Sequence, residues 1–197
     1  MESVLDRVIK QNTENVNLLK TKDYNIFSVL QIQSKEVLIC RMIADLLNPR
    51  GQHGAGAEYL KIFLRDCLGM EKMDTKLADQ AIVTAEYAID DERRIDIVIE
   101  IGSYFLPIEV KIYAADQKSQ CFDYYQYAKR RDAQAKVYYL TLDGHRPGKD
   151  STSSGSQSVP EEDIVCLSFR EHILNWLKAC KSFENTGMVP ILEQFIQ

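Results

Sequence analysis

The stretch RRIDIVIEIGSYFLPIEVKIYAADQKSQ, residues 93–120, places charged side chains inside two runs that otherwise have the composition of buried strands. In residues 94–101 and 104–112, apolar side chains recur at every second position, which is typical of β-strands. Gly102 and Ser103 between the two runs predict a tight turn. We therefore expect a β-hairpin that carries charge on one of its faces.

The alternation of strand side chains predicts which residues share that charged face. Asp96 shares a face with Val98 and Glu100, and Glu109 shares one with Lys111. An antiparallel hairpin can bring Asp96 beside the other two charged residues. Two carboxylates and a lysine gathered in this way form a site with oxygen ligands, which suits a hard cation such as Mg²⁺.

A site of this kind could hydrolyse a phosphodiester. Mg²⁺ can bind a phosphate oxygen, orient a water and stabilise the developing charge. Lys111 could position that water, or act as the general base if burial lowers its pKa. The alternative is a solvated sheet face on which Glu109 and Lys111 form a weak surface ion pair. The E-x-K pattern alone favours this alternative.

Three features elsewhere in the chain favour a functional site. The predicted helix after the hairpin places Gln117, Gln120 and Tyr124 on one face, where buried glutamines would need polar partners. Glu36 lies near the start of an earlier helix, and His53 lies in the glycine-rich stretch NPRGQHGAG. Each has a simpler explanation: a solvated polar stripe, a carboxylate that favours a helix N-terminus, and a histidine that fills a turn.

The periodicity of the whole chain surrounds the hairpin with helices. Helices are expected at residues 1–22, from about 27 to 47 with Ser34 as a cap, at 57–68 and 116–131, from 170 and from about 188. Strands are expected at residues 82–89, 94–101, 104–112, 136–142 and 164–169. Residues 144–163 are rich in Gly, Ser and Pro and predict a mobile loop. The order of helices, β-β-β-α-β and helices predicts an α/β sheet sandwich.

Composition limits the class of protein. A length of 197 residues suits a single domain, with a helical region at 1–33, a core at 34–169 and C-terminal helices at 170–197. The net charge of −5 neither supports nor excludes nucleic-acid binding. Five cysteines without a C-x-x-C pair argue against disulfides and structural zinc. With no signal peptide or apolar span evident, a soluble cytoplasmic protein is expected.

Taken together, these residues resemble the PD-(D/E)xK nuclease superfamily. The resemblance implies a restriction-endonuclease-like αβββαβ core: a mixed central sheet of about four to five strands flanked by helices, with extra N-terminal and C-terminal helices. In that family, an Asp on the second core strand and an E-x-K on the third bind the metal and position the water. Asp96, Glu109 and Lys111 occupy those places, and Gln120 and Tyr124 match a Q-x-x-x-Y that the family often carries on the next helix.

The resemblance also implies cofactors and further residues. An acidic residue on the helix before the first core strand often contributes to the site, and Glu36 is the match. The metal ligands would then be Asp96, Glu109 and Glu36, and the ion Mg²⁺, with Mn²⁺ as an alternative. The residue before Asp96 is Ile95 rather than the proline of the family's name, a change that leaves the chemistry intact. More narrowly, LLNPRGQHGAGAEYLKIFL, RRIDIVIE and DQKSQCFDYY look like a subgroup of nuclease-like proteins associated with bacteria and phage.

Three groups of basic residues are candidate contacts for phosphates. They are the cluster Lys129, Arg130 and Arg131, the pair Arg93 and Arg94, and the loop residues His145, Arg146 and Lys149. The cluster could instead complement a helix C-terminus. The leading hypothesis is a Mg²⁺-dependent nuclease that acts on nucleic acid, with DNA favoured by resemblance, no membrane partner and a homodimer as one option. The rivals are a catalytically inactive nuclease-fold module for binding or assembly, and an enzyme for another phosphate ester.

Overall fold

The computed structural model describes residues 25–71, 73–183 and 187–196, so the helix predicted at residues 1–22 lies outside the described residues. The helices are α1 (Ile26–Val29), α2 (Glu36–Leu47), α3 (Glu58–Asp66), α4 (Thr75–Ala78), α5 (Gln120–Arg131), α6 (Leu174–Cys180) and α7 (Val189–Ile196). The strands are β1 (Ile82–Ala88), β2 (Arg94–Ile101), β3 (Tyr104–Lys111), β4 (Val137–Thr141), β5 (Ser153–Ser154), β6 (Gln157–Ser158) and β7 (Ile164–Ser168). In the described part of the chain, no helix is long and apolar enough to cross a membrane.

A mixed five-stranded sheet in the order β1-β2-β3-β4-β7 forms the centre of the fold. Strands β1, β2 and β3 are antiparallel, whereas β3, β4 and β7 run parallel to one another. The turn between β2 and β3 has Gly102 at φ 57°, a conformation that suits glycine. The predicted hairpin, the order β-β-β-α-β and the restriction-endonuclease-like architecture are therefore confirmed.

Two apolar cores lie on opposite faces of the sheet, as the alternation predicts, except that Ile95 packs in the second core and not with Ile97 and Ile99. Helices α2, α3 and α6 pack on the face that carries Ile97, Ile99 and Ile108. Helix α5 packs on the other face, against Val98 and Phe105. Glu109 and Lys111 alternate along β3 with Ile108 and Val110 of the first core and so face α5, whereas Glu36 belongs to α2 on the first face.

Two helix starts differ from prediction. Ser34 does not cap α2, because it lies in a 3₁₀ turn where its hydroxyl donates to the carbonyl of Gln31 at 2.9 Å, and Lys35 takes the cap position. Helix α5 begins at Gln120 rather than at residue 116, after Ser119 at φ 57°. Gln117 therefore lies outside the helix, and the prediction that it shares a helix face with Gln120 and Tyr124 is wrong.

The segment 144–163 is organised, although its composition predicts a mobile loop. It contains the hairpin β5–β6 and a 3₁₀ turn. Fully buried Ser151 accepts hydrogen bonds from the amides of Cys121 and Phe122, and the carbonyl of Asp150 accepts one from Ser119. Helix N-termini leave amides without intrahelical partners. This segment satisfies two of those of α5, the amides of Cys121 and Phe122, and so anchors the start of the helix.

Gly51, after α2, offers a test of the loop that carries His53. A Cβ at Gly51 would lie 2.2 Å from the carbonyl oxygen of Asp45. Because the clash is with backbone, we expect Gly51→Ala to lower the free energy of unfolding by about 3 kcal/mol. Gly54→Ala in the same loop meets nothing within 4 Å at φ 73°, so it should cost only about 1–2 kcal/mol. Urea denaturation measures both, and equal losses would contradict the packing described.

Candidate active site

Asp96, Glu109 and Lys111 come together where β2 and β3 separate. The paired register ends at Ile97 opposite Ile108. At the next position, the Asp96 side chain replaces the backbone partner, and its Oδ2 accepts the amide of Val110 at 2.8 Å. The Lys111 ammonium donates to Glu109 Oε1. The structure therefore gathers these three predicted side chains, and Glu109 among them is only 1% exposed.

Burial sets the protonation of this cluster. Burial and the nearby charge of Asp96 raise the pKa of Glu109 to about 8, against the opposing effect of Lys111. Burial also raises the pKa of Asp96. For Lys111, burial acts to lower the pKa, but the charges of Glu109 and Asp96 outweigh it and the net pKa is raised. The condition for Lys111 to act as a general base, a lowered pKa, is therefore not met, and its ammonium stays charged.

The cluster has the composition of a cation site. Glu109 Oε2 is buried beside the Asp96 carboxyl group, and when both carboxyl groups are ionised it has no hydrogen-bond partner among the described residues. Leaving such an atom unsatisfied costs about 1–3 kcal/mol or more for a charged group. A hard cation held by Asp96 and Glu109 would satisfy it, and Mg²⁺ is commonly held by one or two carboxylates together with substrate phosphates. The residues present therefore fit a divalent metal.

Glu36 is turned toward the backbone at the end of β3. Its Oε1 accepts the amides of Ile112 at 2.6 Å, Tyr113 at 2.7 Å and Ala114 at 3.1 Å. Burial acts to raise its pKa, but these hydrogen bonds outweigh burial and the net pKa lies below its usual value. Across residues 25–71, 73–183 and 187–196, no three His, Cys, Asp or Glu side chains gather for a metal. The predicted ligand set of three carboxylates is thus not assembled, and Glu36 anchors the segment just after Lys111.

Replacing Glu36 with alanine removes the acceptor of these amides. We expect Glu36→Ala to lower the free energy of unfolding by about 1–3 kcal/mol in urea denaturation. Since its folded pKa is lowered, this contribution is present above pH 4.5 and is lost as the pH falls through the folded pKa. The control Glu58→Ala removes a first-turn acid that pairs only with Lys61 at the surface, and should cost less than about 1 kcal/mol. A Glu36→Ala effect as small as the control's would contradict this role.

Gln120 and Tyr124 link α5 to the strand that carries Asp96. Gln120 is 5% exposed, and its Nε2 donates to the hydroxyl of Tyr124 at 3.0 Å. That hydroxyl in turn donates to the carbonyl of Arg94, two residues before Asp96. Burial raises the pKa of Tyr124, so the hydroxyl keeps the proton that it donates. The Q-x-x-x-Y pattern therefore connects α5 to β2 through two successive hydrogen bonds.

A family model described as the PD-(D/E)XK nuclease superfamily matches residues 24–196. The chain belongs to the PD-(D/E)XK nuclease superfamily. No curated protein and no solved structure matches the chain significantly. Membership indicates nuclease chemistry, which in this superfamily typically uses divalent metals. The match runs from before α1 into α7, and so covers every element that positions the site.

Most basic residues proposed as phosphate contacts are bound internally in this nuclease-superfamily chain. Arg93 donates to Asp123, Gln117 and the carbonyl of Lys118, and ties α5 to the start of β2. The end of α5 is bound likewise, as Lys129 pairs with Asp163, the Arg130 guanidinium donates to the carbonyl of Gln126, and Arg131 donates to Tyr127 and Glu100. Arg94 is exposed. The structure thus favours the simpler, structural explanation for the cluster at the end of α5.

The histidines and the loop cations lie apart from the carboxylates. His53 is 3% exposed, stacks on Tyr59 with ring centroids 4.7 Å apart, and bonds to the carbonyl of Asn48 and the amide of Ala55. It therefore fills a turn. His145 pairs with Asp143 at the surface. Arg146 donates to the carbonyl of Glu161, whereas Lys149 is exposed.

One polar pair beside the superfamily's E-x-K was not singled out from the sequence. Tyr139 lies opposite Glu109 in the parallel pairing of β3 with β4, and its hydroxyl donates to Asp116 at 2.7 Å. The other oxygen of Asp116 accepts the amide of Gly148. The alternation in KVYYLTL places Tyr139 and Thr141 on the face of the site, which was the available signal.

Proposed function

We propose that this protein is a Mg²⁺-dependent nuclease that hydrolyses phosphodiester bonds in nucleic acid, with DNA as the expected substrate. The observation that carries the proposal is the cluster of buried Glu109 with partly buried Asp96 and Lys111, in which one carboxylate oxygen of Glu109 is unsatisfied. Burying two carboxylates against one ammonium is costly for stability alone. A site for a cation and a phosphate explains why the charges are there. DNA is favoured by resemblance.

Each side chain has a role in this proposal. Asp96 and Glu109 hold Mg²⁺, with Mn²⁺ as an alternative, and the bound ion would neutralise developing charge and favour ionisation of a water. The protonated Lys111 orients that water and donates to the substrate phosphate. Gln120 and Tyr124 hold β2 in place, and Glu36 holds the end of β3.

The second candidate is a nuclease-fold module without activity. The net charge of −5 and the internal pairing of Arg93, Lys129 and Arg131 favour it, because few of these cations remain for a nucleic-acid backbone. The unpaired oxygen of Glu109 favours the enzyme. A module would have no need of a metal at this position.

A cleavage assay separates the candidates. Supercoiled plasmid, single-stranded DNA and RNA are incubated with the protein and Mg²⁺ or Mn²⁺, with chelator as the control. We expect metal-dependent cutting that the chelator stops. If the folded protein cuts no nucleic acid across a metal titration, a panel of small phosphodiesters tests other phosphate esters, and inactivity there too would leave the binding module. Cutting of both plasmid strands would favour a homodimer, which gel filtration can test.

A further inference from the structure

A cleft of about 510 Å³ opens at the carboxyl ends of the three parallel strands. Ile112 and Tyr113 line it directly after β3, Leu142 directly after β4, and Phe169 and Arg170 directly after β7. Ligands of α/β folds commonly bind outside the carboxyl ends of strands, in clefts of roughly 300–1,000 Å³. The cleft begins one residue beyond the lysine of the candidate active site.

The lining of this cleft is aromatic and apolar, and one aromatic side chain is open to solvent. Phe27 of α1 and Phe195 of α7 lie 5.3 Å apart between ring centroids at one wall. Tyr113 is 66% exposed, and in the described part of the chain its side chain has no hydrogen bond or ring contact. Its backbone is fixed, because Glu36 accepts its amide. An exposed aromatic ring on an anchored backbone is available for stacking.

One charge on the cleft is complementary to phosphate. The Arg170 guanidinium lines the cleft and forms no hydrogen bond or ion pair with the described residues. Guanidinium groups suit phosphate because they donate two parallel hydrogen bonds. The cleft therefore offers an aromatic side chain and a cation, and its Tyr113 follows Lys111 of the candidate active site by two residues.

We propose that this cleft binds an unpaired nucleobase of the substrate strand next to the scissile phosphate, with Tyr113 stacking on the base and Arg170 on a flanking phosphate. The preferred substrate is then single-stranded nucleic acid. Bases in an intact duplex are already stacked on one another, whereas those of a single strand can stack on aromatic side chains. The internal pairing of Arg93, Lys129 and Arg131 points the same way, because a duplex is gripped mainly through its phosphates. This inference rests on the proposed function.

Cleavage kinetics on a single-stranded oligonucleotide and its matched duplex test the inference. Wild-type protein should favour the single strand. Tyr113→Ala should raise KM for the single strand about tenfold or more, while Tyr113→Phe, which keeps the ring, should stay close to wild type. Tyr104→Ala is the matched control, since Tyr104 is also exposed but lies at the opposite end of β3. A preference for the duplex, or a Tyr113→Ala enzyme equal to wild type, would overturn the inference.

A binding measurement separates this inference from the nuclease proposal. Tyr113→Trp adds a reporter to a chain whose single tryptophan, Trp176, is fully buried. With Ca²⁺ in place of Mg²⁺, an oligothymidylate should quench its fluorescence and leave that of Tyr104→Trp unchanged. Quenching in a protein that cuts nothing would support nucleobase binding in the cleft and overturn the nuclease proposal. Cutting without quenching would support the nuclease proposal and overturn nucleobase binding in the cleft. If the fluorescence of Tyr113→Trp is that of a buried tryptophan before oligonucleotide is added, and does not change on addition, another segment such as residues 1–24 occupies the cleft. That result would also overturn the inference.

Discussion

Replacing Lys111 with methionine is expected to lower the rate of metal-dependent cleavage by about 100- to 1,000-fold. Lys111 is mostly buried, and its ammonium donates to Glu109 Oε1, so it is the only cation paired with Glu109 among the described residues. Methionine keeps the apolar stem and removes the charge and its hydrogen bonds. The measurement is the initial rate of plasmid nicking in saturating Mg²⁺.

A nearby lysine provides the control for this change. Lys118 is exposed, and its side chain has no ion pair within the described residues, so Lys118→Met should cut at the wild-type rate. Circular dichroism of both variants establishes that they fold. Cutting by folded Lys111→Met at the wild-type rate would mean that the activity arises elsewhere.

The second large effect concerns the stability of the metal-free protein. Its free energy of unfolding is expected to fall as the pH rises from 4.5, the usual pKa of a Glu side chain, to about 8, the pKa of Glu109 in the folded protein. Over that range the folded state retains a proton that the unfolded state releases, so each rise in pH favours unfolding. The contribution of this one group is at most about 5 kcal/mol. Below pH 4.5 both states are protonated and the contribution levels off.

Urea denaturation across this pH range measures the effect. Glu109→Gln cannot ionise and should flatten the slope, and saturating Mg²⁺ should flatten it in the wild-type protein, because the cation favours the ionised carboxylate. The matched control is Glu100→Gln, on the same sheet face but partly exposed and paired with Arg131 at the surface. It should keep the wild-type slope. A slope that is identical in wild type and Glu109→Gln would contradict the buried, unsatisfied carboxylate.

The core of the site follows from local sequence patterns. Period-two alternation and the short turn at Gly102 fix both the face and the register of the hairpin, so they suffice to bring Asp96 beside Glu109. The spacing of Gln120 and Tyr124 likewise places both on one helix turn. These residues could be predicted because their partners are close in sequence or lie on a paired strand.

The remaining contacts depend on partners that no local pattern reveals. Glu36 accepts an amide 76 residues away, and Ser151 accepts the amide of Cys121 30 residues away. From sequence alone, Glu36 is equally consistent with a metal ligand, and the segment of Ser151 with a mobile loop. Arg93 has the sequence context of a phosphate contact, yet its donors are taken up by Asp123 of α5 and by Gln117 and Lys118 just before that helix. The tertiary fold decides these roles.

Titration of Mn²⁺ into the apo protein, followed by the electron paramagnetic resonance signal of the free ion, tests whether Asp96 and Glu109 hold a metal. We expect wild-type protein to bind Mn²⁺, Asp96→Asn and Glu109→Gln each to lose this binding, and Glu36→Gln to keep it because Glu36 is engaged with backbone amides. Mn²⁺ that binds equally well without either carboxylate, or wild-type protein that binds none, would contradict a metal site at Asp96 and Glu109.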